Sequence, residues 1–233
     1  MTIGYTRLGQ VTAPAASQAL TTLKTVCDDL QIDPLADNSY LGRLIARASR
    51  AISTYCRRLF ALAGYQDTFR RVRTIGHRLN GNETPDDPPP LILSACPIVA
   101  IEAVTIDGIL LVAGVDYEFD ADAGLLYRLG IAGLRQPWVF EIGTVSYTAG
   151  WVLPVDNAPD GAPLRTLPED VEEAAIGLIQ LAYAARSRDA SVKMELLFDV
   201  RRVEYFDPSA GQVAQLPAGI DLQLQPYRLP LVP

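Results

Sequence analysis

The sequence predicts an α+β protein with a small helical bundle core, an inserted antiparallel β region and an extended C-terminal tail. Three observations predict this: helical spacing in 37–59 and 166–188, hairpin signals through 91–148, and a proline-rich end with few charges. The expected parts are an extended arm (1–17), a helical core (18–65 and 166–190), a loop and β insertion (66–165) and an extended C-terminal docking segment (191–233).

The first helical region is predicted to contain two helices. A short helix begins at Ser17 or Gln18 and ends before Asp33-Pro34, because proline disfavours helix in the residue preceding it. A long helix follows, capped by Asp37 or Asn38. Its apolar face consists of Leu41, Leu44, Ile45, Ala48, Ile52, Tyr55 and Leu59. Its other face is basic and consists of Arg43, Arg47, Arg50, Arg57 and Arg58.

The middle of the chain is strand-like. Gln66–Leu79 alternates loosely, which fits a strand with arginines on one face or an extension of the helix. Three hairpins are then predicted, with turns at Asp107-Gly108, at Gly124 and at Gly143-Thr144. Short strands joined in this way are typical of a compact sheet or a small barrel.

The second helical region opens with the capping-box pattern Thr166-x-x-Glu169, with Pro168 in the first turn. Alanines on its apolar stripe allow another helix to approach closely. Spacing of two from Val192 to Val200 predicts an extended segment, and Pro217–Gln225 is expected to form a short helix with Ile220 and Leu224 on one side.

Composition excludes several classes of protein. The 233 residues carry a formal net charge of −7, so we expect no general affinity for nucleic acid or anionic membranes. The three cysteines, Cys27, Cys56 and Cys96, have no metal-ligand spacing. Their odd number and wide separation argue against a disulfide framework and favour a reducing compartment. No apolar run is long enough to span a membrane, and the N-terminus has no charged-then-apolar leader pattern.

Chemistry-bearing motifs are few, and no catalytic residue, metal site or cofactor is expected. The sole histidine, His77, is interpreted as a surface or loop residue. An acidic cluster consists of Asp116, Glu118, Asp120 and Asp122. Such carboxylates suit a hard cation, which leaves a metal-assisted hydrolase as an alternative; we favour hairpin-turn residues ending at Gly124.

Two surfaces are candidates for contact with other chains. The arginine face is either simply solvated or paired with acids of a neighbouring subunit; direct DNA contact fits poorly with the acidic total. The candidates for such a contact between subunits are Arg43, Arg47, Arg50, Glu169, Asp170 and Glu173, with Glu172 beside them. The tail is too apolar for a disordered linker, so we expect it to dock on another chain. Its docking candidates are Leu216, Ile220, Leu224, Tyr227, Arg228 and Leu229.

The order of the motifs resembles the head–tail connector (adaptor) family of long-tailed phages. LTTLKTVCDDLQIDPLADNSYLGRLIARASRAISTYCRR resembles its opening helix pair, and PIVAIEAVTIDG, YEFDADAGLLY and VSYTAGW resemble its inserted β region. LPEDVEEAAIGLIQLAYAAR resembles its next helix, and LPAGIDLQLQPYR its closing motif. The segments at 59–90 and 152–165 are longer than that family's pattern.

The resemblance implies a structural protein of the virion neck, made in the host cytoplasm. Members form a closed, typically dodecameric ring under the portal protein and dock there through the C-terminal segment. The ring extends the channel for genomic DNA, without binding it specifically, and joins the capsid to the next neck or tail-completion protein. Another virion binding module, such as a tail-completion protein, is the remaining alternative.

Overall fold

The structure, a computed structural model, describes residues 4–33, 38–72, 88–156, 161, 163–187, 194–197, 201–204 and 216–229. It is a mixed α+β fold that divides into two units. The β unit comprises Met1–Ala16 and Ala61–Trp151, and the helical unit comprises Ser17–Phe60 and Val152–Pro233. The predicted positions of His77 and of the cap at Asp37 lie outside the described residues.

The β unit contains two antiparallel sheets. The first has the order β1 (Gly4–Ala13), β2 (Ala63–Val72), β9 (Ile142–Ala149), β4 (Ile98–Ile106) and β5 (Ile109–Leu110). The second has the order β3 (Leu91–Ile92), β7 (Leu125–Leu129) and β6 (Tyr117–Asp120), with β8 (Arg135–Gln136) also paired to β7. Side chains from both sheets, including Tyr65, Val104, Leu126 and Tyr147, form one buried core.

Two of the predicted hairpins are confirmed. Strands β4 and β5 pair across Asp107-Gly108, where both residues have positive φ (48° and 84°), as a tight hairpin turn requires. The Asp107 carboxylate also accepts hydrogen bonds from the backbone N–H groups of Glu141 and Ile142. Strands β6 and β7 pair as expected, and Gly124 has φ 69°.

The third predicted hairpin is wrong, because Gly143 and Thr144 lie inside strand β9. Gly143 pairs with Phe69 on one side and with Ile106 on the other. A Cβ added at Gly143 would lie 2.8 Å from Ile106 Cδ1. The glycine therefore marks a close approach within the sheet, which is the other common meaning of glycine in a strand pattern.

The segment predicted as an extended arm, residues 1–17, contains a strand that belongs to the first sheet. Gly4–Ala13 is the edge strand of the first sheet and pairs with β2 along almost its whole length. This strand has no alternation of apolar and polar side chains that the sequence could reveal, because residues 6–13 are all exposed and only Tyr5 packs against the core. Of the two alternatives for Gln66–Leu79, the strand is correct over the part of that segment the structure describes, which ends at Val72.

The helical unit contains α1 (Leu23–Leu30), α2 (Asn38–Cys56), α3 (Glu169–Ala184) and α4 (Ala218–Leu224). Side chains from the first three form a second core, which consists of Val26, Cys27, Leu41, Leu44, Ile45, Ala48 and Ile179. Ala174 and Ala175 of α3 are also buried, as their place on the apolar stripe predicted. Each unit thus has its own core, so a single helical bundle with a β decoration is too simple a description.

The helix ends differ from the sequence predictions. Helix α1 begins after Thr22, whose side chain accepts a hydrogen bond from Thr25 N, and Leu20 lies before the helix. The capping box at Thr166 is wrong, since α3 is preceded by Pro168 with no side-chain cap, and Thr166 Oγ1 instead accepts from Val152 N. Helix α2 ends at Cys56, and Arg57 has φ 56°. Arg57, Arg58 and Leu59 therefore do not extend its faces.

The C-terminal part contains a hairpin and the predicted short helix. Strands β10 (Met194–Leu197) and β11 (Arg201–Glu204) pair with each other, in agreement with the extended segment expected there. Helix α4 confirms the prediction for Pro217–Gln225 and is followed by a 3-10 turn at Gln225–Tyr227. In the described part of the chain, no helix has the length and hydropathy needed to cross a membrane.

Candidate interaction surfaces

The outer face of α2 carries exposed arginines, which we call the basic face: Arg43, Arg47 and Arg50. At about 100° of rotation per residue, all three lie within about 60° of one another and opposite the buried side chains. The helix from Asn38 to Cys56 contains no acidic residue. Within the part of the chain that the structure describes, none of the three forms an ion pair with a carboxylate.

The N-terminal end of the basic face is extended by Arg186, which lies in the 3-10 turn (Ala185–Ser187) that follows α3. The guanidinium carbon of Arg43 lies 5.8 Å from the centroid of the Tyr40 ring, and that of Arg186 lies 4.7 Å from the same centroid. Tyr183 of α3 packs beside Tyr40, with 6.3 Å between ring centroids. These cation–π contacts with Tyr40 orient both guanidinium groups. Arg186 is a member of this surface that the sequence did not reveal, because the two arginines are far apart in the chain.

The first turns of α3 carry an acidic face, which consists of Glu169, Asp170 and Glu173. These carboxylates complement the positive end of the helix dipole. Asp170 accepts a hydrogen bond from Tyr227 OH and Glu173 accepts one from Gln223 Nε2, both at 3.3 Å. Both donors are neutral, so the negative charges are not cancelled.

Glu172 differs from its three acidic neighbours. It is buried, and its Oε2 lies 2.6 Å from Arg165 Nη1. The ion pair compensates the burial of the charge. Glu172 therefore stabilises the chain itself, and only the other three acids of α3 face solvent.

The C-terminal segment, residues 216–229, packs on its own helical unit. Leu224 is fully buried, and Ile220 Cδ1 lies within 3.4 Å of where a Cβ on Gly177 of α3 would be. Tyr55 OH donates a hydrogen bond to Asp221, which raises the pKa of the Tyr55 hydroxyl, as does its burial. Leu229 N donates to Cys56 O at 3.0 Å.

This packing corrects the reason given for the docking prediction. The apolar tail was expected to be buried only in another molecule, yet Leu224 is buried in this chain. Leu216, Ile220, Tyr227 and Leu229 are half-buried there, and Arg228 is exposed, with its guanidinium carbon 5.1 Å from the Tyr55 ring centroid. Leu222 is 66% exposed and is the apolar residue of the segment most accessible to a partner. Docking on a portal protein stays a prediction.

The acidic cluster at 116–122 does not converge on one point. Asp116 accepts from Val112 N and lies 3.7 Å from Arg128, whereas Glu118 pairs with Arg135 at 2.7 Å. Asp120 caps its own turn by accepting from the N–H groups at 122 and 123. Among the described residues, no group of three His, Cys, Asp or Glu side chains is placed to hold a metal ion. The arrangement fits the turn interpretation and gives the metal-assisted hydrolase no support.

The β unit holds a buried polar network that the sequence did not reveal. Asp67 is fully buried and accepts hydrogen bonds from Ser94 N and Ser94 Oγ, both at 2.6 Å, and from Tyr147 OH at 3.1 Å. Burial, and then the nearby Asp67 charge, raise the pKa of the Tyr147 hydroxyl. A Cβ on Gly9 would lie 2.8 Å from Asp67 Oδ1, so β1 passes close above the network. We assign it a structural role, because every polar atom on it has a partner within the unit.

Comparisons with known proteins find a solved structure with a similar fold. No protein-family model matches the sequence, and no curated protein matches it. Among solved structures, a chain from the neck of the empty GTA particle (a gene transfer agent), computed with C6 symmetry, has a TM-score of 0.53 and 14% identity over 97% of both chains. A chain from the neck of the native GTA particle, computed with C12 symmetry, has a TM-score of 0.48 and 17% identity over the same coverage. At 14% identity, the similarity to the chain from the empty particle shows a shared fold.

Proposed function

We propose that this protein is a structural component of a virion neck, where copies form a closed ring between the capsid and the tail. One observation carries the proposal: its fold matches a chain of a phage-like neck over 97% of both chains. The order of motifs that resembles the connector family supports it independently, because that resemblance came from local sequence patterns alone. On this proposal the protein acts by shape and adhesion and is not an enzyme.

The ring is proposed to lie beneath the portal protein and to extend the channel through which genomic DNA passes. The net charge of −7 supports a channel to which phosphate does not adhere. The next neck or tail-completion protein would bind the opposite end of the ring. A ring requires a head-to-tail contact in which two different surfaces of the same chain meet.

Docking on the portal is proposed to use the C-terminal segment. The packing of Leu224 suggests that this side chain holds the segment in place, while Leu222 and Arg228 are offered to the partner. The half-buried Leu216, Ile220, Tyr227 and Leu229 would complete the contact or become available if the segment moves. Deleting the whole segment would also uncover apolar surface on its own unit, so a point substitution is the cleaner test.

The test uses the full chain mixed with purified portal rings. Electron microscopy of the mixture should show a ring of this protein on one face of the portal, and Leu222→Asp should reduce co-sedimentation by about tenfold or more, because an apolar contact becomes a buried charge. Leu164→Asp is the matched control, since Leu164 is 87% exposed and lies outside the segment. A wild-type chain that neither forms rings nor binds portal would overturn the proposed function. Binding that is unaffected by Leu222→Asp would overturn only the assignment of the docking surface.

A further inference from the structure

The two charged faces of the helical unit lie on opposite sides of it. Helices α2 and α3 pack together through their buried faces, as the shared core of Leu41, Ile45 and Ile179 shows. The basic face lies opposite the buried side of α2. At about 100° per residue, Glu169 and Glu173 likewise lie opposite the buried Val171 and Ala175 of α3. Asp170 lies beside them, on the side of α3 where Tyr227 of the C-terminal segment donates a hydrogen bond to it. The exposed face of α2 is therefore positive, and the exposed face of the first turns of α3 is negative.

We infer that the basic face of one copy binds the acidic face of the next copy, and that this contact is the subunit interface of the ring. The inference rests on the proposed function and names the surfaces that the ring would use. Two complementary surfaces on opposite sides of one unit produce a head-to-tail contact, which closes into a ring when the rotation between copies permits. A contact between identical surfaces would instead place arginine against arginine.

Charge complementarity selects a second copy as the partner. Arg47 and Arg50 have no carboxylate partner within the described part of the chain, and Glu169 has no cation there. Arginine suits such interfaces, because its planar fork can hold a carboxylate with two hydrogen bonds. Because the partner is another copy of the same chain, basic and acidic faces are present in equal numbers, as a closed ring requires.

DNA is the competing partner for an arginine face. The chain's net charge of −7 opposes general attraction to a polyphosphate. The acidic face also lies in the same small unit, where it would repel phosphate. These observations favour the second copy, and the experiment below separates the two.

The experiment reverses each face and then both. The first variant carries Arg47→Glu and Arg50→Glu, and the second carries Glu169→Lys and Glu173→Lys. They shift the net charge in opposite directions, yet each places like charges across the proposed interface. We expect each variant to weaken ring assembly by about tenfold or more. Mass photometry and sedimentation velocity would measure assembly of the protein by itself and in the presence of portal rings. Arg70→Glu, an exposed arginine on β2, is the control and should leave assembly unchanged.

The decisive measurement is rescue. A chain with all four substitutions has the net charge of the wild type and restores opposite charges at every interface, so its rings should return. An equimolar mixture of the two variants should also assemble, because alternating copies match at both faces. Circular dichroism of the monomers checks that each variant is folded.

Three results would overturn the inference. Rings that persist in both reversed variants would show that the faces do not meet. Rings that are lost in each variant but not restored by the combined chain or by the mixture would show a different cause. Loss of binding to a short DNA duplex by the Arg47→Glu, Arg50→Glu variant, with its rings intact, would assign the basic face to nucleic acid. In each case wild-type rings still form, which separates these failures from failure of the proposed function itself.

Discussion

The β unit and the helical unit differ in whether their polar and charged side chains lie inside or on the surface. The β unit buries a carboxylate, Asp67, among hydroxyl and backbone donors at its centre. The helical unit displays most of its charges outside, with arginines on α2 and carboxylates on α3. Buried polar groups fix one internal arrangement. Exposed charged groups, with one sign on each helix face, remain available to partners. This difference is why we propose the helical unit as the part of the chain that contacts other copies.

The two units can be followed separately in solution. Both tryptophans, Trp138 and Trp151, belong to the β unit, so tryptophan fluorescence reports on that unit. The α-helices all belong to the helical unit among the described residues, so far-ultraviolet circular dichroism reports chiefly on it.

The largest effect is expected from Ile52→Asp in α2. Ile52 is fully buried, and an unpaired carboxylate there would lower the free energy of unfolding by about 4–5 kcal/mol. Urea denaturation followed by circular dichroism should show the loss of helix. Thr54→Asp, an exposed position on the same helix, is the control. Equal stability of the two variants would contradict the burial of this face.

The second effect tests the interior of the β unit. Asp67→Ala leaves the donors at Ser94 N, Ser94 Oγ and Tyr147 OH without their acceptor, and we expect it to cost about 3 kcal/mol. Asp67→Asn retains one carbonyl acceptor and should cost less. Denaturation followed by tryptophan fluorescence measures both. The exposed Asp122→Ala should change little, and a similarly small effect of Asp67→Ala would show that the network does not stabilise the unit.

These two residues also show where sequence reasoning succeeded and failed. Ile52 was predicted to lie on a buried face, because apolar residues three and four apart can only be buried together on a helix. Asp67 has no such local signal. Its partners are 27 and 80 positions away, and only the pairing of strands brings them together.

The same reasoning explains the errors in the sheets. The turns at Asp107-Gly108 and Gly124 were predictable from the local sequence. Their residues adopt positive φ, a conformation that favours glycine and the Asp-Gly pair. Gly143 is a glycine for a non-local reason, since Ile106 and Phe140 occupy the space of its side chain.

Among the interaction surfaces, the charges of α2 and α3 were visible in the sequence. Their positions on opposite sides of one packed unit were not.

The third effect concerns the C-terminal segment. Leu224→Ala removes its fully buried side chain and should cost about 2–3 kcal/mol, whereas Leu222→Ala at a 66% exposed position should cost little. Hydrogen exchange should show lost protection at 216–229 in the Leu224→Ala chain, with tryptophan fluorescence unchanged. Equal protection in the two variants would mean that Leu224 does not hold the segment on the helical unit.

The fourth effect is a pH dependence where this segment meets α2. Burial raises the pKa of the Cys56 thiol from 9.0 to about 11. The folded chain therefore holds this proton more tightly than the unfolded chain, so the stabilisation is complete below pH 9 and is lost as the pH rises through about 11. A thiolate would lie beside Leu224 O, at the place where Cys56 O accepts from Leu229 N.

Cys56→Ala should remove this contribution. Its free energy of unfolding should fall less steeply than that of the wild type between pH 9 and about 11, although Ala is smaller and the variant is less stable at neutral pH. Cys96→Ala, in the β unit, provides the matched control. Identical slopes for Cys56→Ala and the wild type would show that the thiol is not screened from water by the C-terminal segment. A shallower slope confined to Cys56→Ala would place the alkaline weak point in the helical unit, at the attachment of the segment proposed to meet the portal.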